Sequence, residues 1–265
     1  MGRGVAVFGA LWRLGSAEAV AYRASTLVWI LTTSFPLVSL ALWSAIAREG
    51  AIGDYGQADF VSYFLAAFLI RQLTASWIVW DLDRQVRTGE LNALLMRPVH
   101  PVAHLCVQNL ATQPIRLMLA VPLALALSFA LDGAGPGLEG GAWLWMLPAI
   151  GLAWLIIFTT QLVVGCLAFW FTHSESIYDV WTGLFIVLSG YAVPTSLFPD
   201  ALATVARALP FHAALGFPVE LWLGRLTRAE ILEGFALQLG WAVVFSVAAW
   251  VAWRRGLRRY GAVGG

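Results

Sequence analysis

Long segments without charge are the feature that most constrains how this chain folds. Residues 24–47 contain no charged side chain, and similar apolar segments recur along the sequence. About twenty such residues are enough to cross the hydrocarbon core of a bilayer as a helix. Sixty per cent of all residues are apolar and only 12% are charged, a composition that no soluble domain requires. The sequence therefore predicts an all-α integral membrane protein.

The apolar segments leave room for six transmembrane helices and for no separate soluble domain. We place the spans at about 24–47, 60–80, 102–131, 143–171, 177–193 and 234–253. Residues 1–23 mix apolar and polar side chains and are too polar to cross, so they predict an interfacial helix on the membrane surface. The chain thus divides into this N-terminal helix, residues 1–23, and a transmembrane domain, residues 24–265.

The distribution of arginine predicts the orientation of the spans. All 16 basic residues are arginine. Positions 3, 13, 23, 84, 87, 97, 254, 255, 258 and 259 fall on one face, whereas the other face carries arginines 48, 207, 225 and 228. Because cytoplasmic loops carry the excess of positive charge, the first face is expected to be cytoplasmic, together with both termini.

Reactive groups of the usual kinds are missing from the sequence. The lack of lysine excludes a Walker-A loop and a Schiff-base lysine. The four histidines are scattered and form no zinc motif, so no catalytic residue, metal site or cofactor is predicted in this chain. The net charge of +1 gives no indication of a nucleic-acid surface. We therefore expect no enzyme activity; a passive channel, a scaffold and a pore-forming subunit driven by a separate ATPase remain.

A short charged segment, Asp81–Pro101, interrupts the apolar pattern between the second and third spans. Its apolar residues recur at helical spacing, which predicts one or two amphipathic helices hinged at Thr88-Gly89. Such a segment is typical of a docking surface for another protein. A solvated loop, or a helix lying flat on the lipid headgroups, is the alternative.

Two arginines lie within predicted spans. Arg71 sits near the middle of the second span, with Gln72 and Thr74 beside it. A charge at that depth must face protein or water, so Arg71 is either a pathway or subunit-contact residue or a structural one that snorkels or caps a neighbouring helix. Arg116 lies nearer the membrane surface, where we expect it to snorkel.

The region before the last span is rich in proline. Pro194, Pro199, Pro210 and Pro218 fall within residues 194–230, and an amphipathic stretch, Ala201–Leu209, lies between them. This stretch predicts a helix that lies at the outer leaflet or dips into it.

The run Arg87-Thr-Gly-Glu-Leu-Asn-Ala-Leu-Leu-Met-Arg-Pro-Val-His-Pro101 resembles the cytoplasmic loop between spans two and three in permease subunits of bacterial ABC type-2 transporters. The layout of the whole chain is similar to that family as well. The resemblance implies a cytoplasmic coupling helix over Glu90–Met96, between the second and third spans. It also implies that the proline-rich segment is re-entrant on the extracellular side.

The resemblance assigns expected roles to individual residues. The interface with the ATPase would include Arg84, Arg87, Gly89, Glu90, Leu91, Leu94, Leu95, Met96 and Arg97. Arg71, Gln72 and Thr74 would lie near the pathway or the permease–permease contact. The extracellular gate would include Pro194, Phe198, Pro199, Leu202 and Val205.

The resemblance also implies the partners of the chain. A separate ATP-binding subunit would hold ATP and magnesium, and a second permease, identical or homologous, would complete the pathway. The assembly is expected to be an exporter in the bacterial inner membrane. The alternative is a non-transporting scaffold or sensor subunit that docks an ATPase through the same loop.

Overall fold

Apolar helices of very different lengths make up the chain. The computed structural model describes residues 9, 12, 13, 33–133, 143–171 and 174–260. Its helices are α1 (Phe35–Ile46), α2 (Gln57–Thr74), α3 (Ile78–Thr88), α4 (Glu90–Leu95), α5 (Pro101–Ala130), α6 (Trp143–Cys166), α7 (Ser174–Leu188), α8 (Asp200–Ala208), α9 (Pro210–Ala214), α10 (Gly216–Trp222) and α11 (Arg228–Tyr260). Short 3-10 turns lie at Leu167–Phe169 and Thr195–Leu197.

Four stretches in the described residues are long and apolar enough to cross a membrane. They are Gln57–Thr88, Pro101–Ala130, Trp143–Phe169 and Arg228–Tyr260. Helix α5 lies within one residue of the predicted third span at each end, whereas α11 extends beyond both ends of the predicted last span. Helix α7 has 15 residues, fewer than the predicted fifth span, 177–193. Residues 24–32 of the first span and the interfacial helix fall outside the described part, apart from residues 9, 12 and 13. The six-span arrangement therefore stays a prediction.

The helices divide into central and peripheral ones. In the most apolar window of each stretch, 83% of the residues of the α2–α3 stretch and 72% of those of α6 are buried. The corresponding shares are only 22% for α5 and 17% for α11. Since a helix that is apolar all round is either covered by protein or exposed to lipid, α2 and α6 form the centre, and α5 and α11 present most of their surface to the membrane.

Aromatic packing fills the centre of the bundle. Phe60, Tyr63, Phe64 and Phe68 of α2 are fully buried; the Phe60 and Phe64 rings stack at 6.3 Å, and the Tyr63 ring lies edge-on against Phe64 at 5.2 Å. The Tyr63 hydroxyl donates a hydrogen bond of 2.9 Å to the Gly190 carbonyl beyond α7. Large rings at helical spacing thus hold α2 in the interior through dispersion contacts on every side.

The two ends of the bundle differ in chemistry. At one end, here called the basic end, lie the α3–α4 segment and the last turns of α11, with Arg84, Arg87, Arg97 and the arginines of 254–259. These elements share one apolar cluster with α5 and α6. The other end, here called the proline end, carries α8, α9 and α10; there Trp241 of α11 donates to the Ala208 carbonyl. The α3–α4 segment and the proline-rich segment therefore lie at opposite ends.

Candidate functional site

The candidate site begins at a break in the helix that leads to the basic end. Helix α2 stops at Thr74, because Ala75 adopts an extended conformation with ψ of 136°, and the chain becomes helical again at Ile78. The predicted second span, 60–80, is therefore interrupted. A break inside an apolar bundle frees backbone donors and acceptors that water cannot satisfy, so they need side-chain partners.

Gln161 of α6 satisfies several of these groups at once. Its Oε1 accepts from the Ile78 N–H at 2.9 Å, and its Nε2 donates to the Ser76 carbonyl at 2.6 Å. Nε2 also lies 2.7 Å from the Tyr178 hydroxyl of α7. One fully buried amide thus bridges both sides of the break and links α6 to α7.

Polar residues of α5 satisfy the remaining carbonyls. Arg116 Nη1 donates to the Ala75 carbonyl at 2.9 Å, and Asn109 Nδ2 reaches the same oxygen at 3.3 Å. Gln113 Nε2 donates to the Leu73 carbonyl at 2.6 Å. Arg116 is buried, so the expectation that it snorkels to the headgroups is wrong. Its guanidinium instead caps the broken end of α2 through the Ala75 carbonyl.

Helix α3 is fixed to α6 and α7 below the break. Leu82 packs so closely on Gly165 that a Cβ at Gly165 would lie 3.3 Å from the Leu82 Cβ. Asp83 is fully buried; its carboxylate pairs with Arg87 Nε at 2.7 Å and accepts from the Ser174 hydroxyl at 2.7 Å. These contacts tie α3 to the N-terminus of α7.

The predicted hinge at Thr88-Gly89 is confirmed. Helix α3 ends at Thr88, and Gly89 adopts a left-handed conformation with φ of 78° before α4 begins at Glu90. Glycine reaches this conformation without a steric penalty. Arg84 spans the hinge, with Nη1 2.6 Å from Glu90 Oε2, so the two helices are also joined by an ion pair.

The short helix α4 has one buried face and one exposed face. Leu91 is fully buried in the apolar cluster of the basic end, and Leu94 packs against the same cluster. Leu91 is therefore an anchor within this chain, and its side chain is not on the surface that a partner would touch. Leu95 and Met96 point outward, with 40% and 88% of their surface exposed, and Arg97 follows them on the surface.

The three polar residues of α2 that were singled out lie inside the chain. Gln72 is buried and donates to the Thr33 hydroxyl at 3.0 Å, and the buried Thr74 hydroxyl donates to the Ile70 carbonyl. Arg71 is half-buried; its guanidinium lies 5.3 Å from the Phe185 ring and beside the Tyr191 hydroxyl. Aromatic rings and hydroxyls thus surround this cation.

At the proline end, the predicted gate residues span the range from buried to exposed. Pro194 is buried, Phe198 is half-buried, and Pro199, Leu202 and Val205 are exposed. The amphipathic helix predicted at Ala201–Leu209 is present as α8.

A buried ion pair holds the proline end together. Glu220 Oε1 of α10 lies 3.2 Å from His212 Nε2 of α9 and accepts a hydrogen bond of 3.0 Å from the Thr195 hydroxyl. Burial raises the pKa of the Glu220 carboxyl, but His212, Arg207 and Thr195 together outweigh burial, so the pKa lies below its ordinary value. This carboxylate therefore connects α9 and α10 with the 3-10 turn at Thr195–Leu197.

The lowered pKa of Glu220 predicts a pH-dependent stability of the proline end. A folded-state pKa below the unfolded value means that the stabilisation is present above the unfolded pKa of about 4.5 and is lost as the pH falls through the folded value. We expect the melting temperature of the wild type to fall more steeply between about pH 4.5 and pH 3 than that of Glu220→Gln. Thermal unfolding of both proteins in detergent measures this. Equal slopes would contradict the prediction.

The comparison with protein families decides what kind of chain this is. A family model described as "ABC-2 family transporter protein" matches residues 29–264, which include every described helix. The chain belongs to the ABC-2 transporter family. A search of curated proteins finds no significant match. The prediction made from the Arg87–Pro101 run is thus confirmed at the level of the family, and this ABC-2 protein is a transporter membrane component.

Sequence reasoning missed the residues that hold the helix break of this ABC-2 protein. Gln161 is a single amide in an otherwise apolar span, and Asn109, Gln113 and Arg116 form the polar first half of the third span. The unusual polarity of that half is visible in the sequence, but the sequence does not show which backbone groups these side chains bind. The break itself occurs in a stretch, Ala75-Ser76-Trp77, that contains neither glycine nor proline.

Proposed function

We propose that this ABC-2 protein is the permease subunit of an ATP-driven exporter, and that α4 is the element on which a separate ATP-binding subunit acts. The basic end is then the cytoplasmic end, in agreement with its excess of arginine. ATP and magnesium would be bound by the partner.

The observation that supports this proposal best is the exposed tip of α4. Met96 is 88% exposed beside the exposed Leu95 and Arg97, on a helix that Leu91 anchors to the bundle from the opposite face. An apolar side chain beside a cation on a firmly held projection is what a cleft in another protein recognises. A loop that was merely solvated would not need a buried anchor.

The contacts of α3 support a route by which movement of α4 reaches the spans. The Arg84–Glu90 ion pair joins α4 to α3, and the Asp83–Ser174 hydrogen bond joins α3 to α7. The break at residues 75–77 separates α3 from α2, so a force on α4 would turn α3 and α7 together while α2 stays in place. Transmission through packed elements of this kind is how a local displacement is carried across a domain.

A second permease, identical or homologous, would complete the pathway. Helices α1 and α7 each have an apolar face that the described part of the chain leaves exposed; the exposed residues are Val38, Leu42 and Ile46 on α1, and Val180, Leu184 and Val187 on α7. Arg71 lies next to Phe185 of α7, which would place it close to this contact.

The experiment that tests the proposal replaces the exposed tip. We expect Leu95→Asp/Met96→Asp to insert and fold normally, because both side chains are exposed, but to reduce ATP hydrolysis stimulated by the permease at least tenfold. Two carboxylates placed in an apolar cleft lose their hydration, which weakens docking. The measurement compares the ATPase activity of the reconstituted complex with that of the ATP-binding subunit alone, using an ATP-binding subunit that co-purifies with this chain.

Leu202→Asp in α8 is the matched control. Its exposure, 41%, equals that of Leu95, but it lies at the proline end. It should leave ATPase docking unchanged. Normal stimulation in the Leu95→Asp/Met96→Asp protein would overturn the role of α4. If the ATPase binds and is stimulated but nothing is transported by the wild-type complex, the scaffold alternative replaces the exporter.

A further inference from the structure

A deep groove opens between α5, α6 and α11 at the basic end. It encloses about 700 Å³ and is separate from the α4 tip. Phe158 and Leu162 of α6 form its floor, and Trp250 and Trp253 of α11 form one wall. The groove runs along α11 from Ser246 to Leu257, a rise of about 17 Å, which is close to the thickness of one leaflet's hydrocarbon layer.

Two groups that favour an anion stand at the mouth of the groove. The Arg254 guanidinium lies 4.2 Å from the Trp250 ring and has no ion-pair partner among the described residues. The His100 ring lies 5.6 Å from that of Trp253, and its Nδ1 accepts from the Val102 N–H, which in the neutral ring leaves Nε2–H free to donate. Among the residues that the structure describes, no acidic side chain lines the groove.

The groove opens toward the membrane. On the α11 surface beside it, Val243, Val247 and Trp250 are more than half exposed, and the apolar window of this helix is only 17% buried. The groove therefore complements an anionic lipid. Its apolar lining matches an acyl chain, and the Arg254 cation and the His100 N–H donor at its polar end match the phosphate.

We propose that this groove binds one anionic phospholipid from the leaflet at the basic end. The phosphate would contact Arg254 and His100, and an acyl chain would lie along Phe158 and Leu162. The site does not depend on the α4 tip or on ATP, so it stands or falls separately from the proposed transport function. It would give this chain a lipid requirement in the membrane.

The test measures lipid binding to the intact chain in detergent by native mass spectrometry. We expect the first molecule of dioleoylphosphatidylglycerol to bind about tenfold more tightly than dioleoylphosphatidylcholine. Arg254→Gln should weaken the first phosphatidylglycerol about fivefold, as expected for the loss of one arginine at the membrane surface, and should weaken phosphatidylcholine less, because the choline cation offsets the charge of its phosphate. Arg255→Gln is the matched control: it removes an exposed arginine of the same turn that does not line the groove.

The chain carries its own reporter of occupancy. Cys106 lines the groove, whereas Cys166, the other cysteine, is fully buried. In nanodiscs, phosphatidylglycerol should slow the alkylation of Cys106 by N-ethylmaleimide at least threefold compared with phosphatidylcholine. The effect should disappear in Arg254→Gln and persist in Arg255→Gln.

Four results would overturn the proposal. Equal effects of Arg254→Gln and Arg255→Gln would mean that lipid responds only to the overall charge of this end. Equal affinities for the two lipids would mean that the headgroup does not contribute to binding. Competition by free glycerol phosphate at the concentration of the lipid would mean that the site takes soluble anions. If protection of Cys106 depended on the protein concentration and not on the lipid, a second copy of the chain would occupy the groove.

Discussion

Replacement of Gln161 by methionine is expected to lower the free energy of unfolding by about 3 kcal/mol. Methionine has nearly the same length, so the loss comes from hydrogen bonds and not from a cavity. The substitution removes the partner of the Ile78 N–H, the Ser76 carbonyl and the Tyr178 hydroxyl. Each buried group left unpaired costs about 1–3 kcal/mol, with some recovery through relaxation. Unfolding of the purified protein by SDS measures the change.

Gln72→Met is the control for this substitution. Gln72 is as completely buried as Gln161, but within the described part of the chain its amide makes a single hydrogen bond, to the Thr33 hydroxyl. We expect it to cost about 1 kcal/mol. Equal losses in the two variants would mean that the helix break is held by packing, and that Gln161 has no special part in it.

Replacement of Gly256 by leucine is expected to cost about 3 kcal/mol, near the upper end for overpacking of a buried site. Even a Cβ at Gly256 would overlap the ring of Phe169. That ring has little freedom to move, because Trp253 and Tyr260 lie edge-on against it at 6.1 and 5.7 Å. The substitution should therefore separate the end of α11 from the turn that follows α6. Thermal unfolding in detergent measures it.

Gly240→Leu in the same helix is the control for the clash. A Cβ at Gly240 meets nothing within 4 Å, and the residue is exposed. Leucine is the better helix former, so this variant should be stabilised by up to about 1 kcal/mol. A loss of stability at both positions would show that α11 does not tolerate leucine for reasons other than Phe169.

Gln161→Met and Gly256→Leu also test two different parts of the basic end. Gln161 holds the start of α3, whereas Gly256 lets α11 approach the end of α6. Since the α4 tip depends on α3, Gln161→Met should also weaken ATPase stimulation at temperatures where the protein stays folded. Gly256→Leu displaces Phe169 at the α11 side of the apolar cluster that also holds Leu82 and Leu91, so it should weaken stimulation less than Gln161→Met at equal stability.

Local chemistry made several features predictable from the sequence. The hinge at Gly89 followed from glycine between two amphipathic stretches, and α5 followed from the long segment predicted as a span at about 102–131. The family followed from the Arg87–Pro101 run, which the family match bears out. In each case the signal lies within a few neighbouring residues, so no tertiary contact is needed to interpret it.

The break at residues 75–77 and the burial of Arg116 and Leu91 could not be predicted in the same way. The chain can leave helical geometry here because side chains 34 to 85 positions away in the sequence satisfy its backbone: Asn109 and Arg116 donate to the Ala75 carbonyl, and Gln161 bonds to the Ser76 carbonyl and the Ile78 N–H. The intrinsic preferences of the local residues give no hint of such a break. An apolar or cationic side chain likewise has the same sequence signature whether lipid, water or protein covers it.

The sequence by itself thus determined that this chain is a helical membrane protein with a hinged, arginine-bearing segment at Asp81–Pro101, since hydropathy and turn chemistry are local properties. The tertiary structure alone decided which face of that segment is free, how its helix is detached from α2, and where a lipid-sized groove remains open. These depend on which distant groups meet, because a buried polar backbone atom is stable only when the folded chain brings a partner to it.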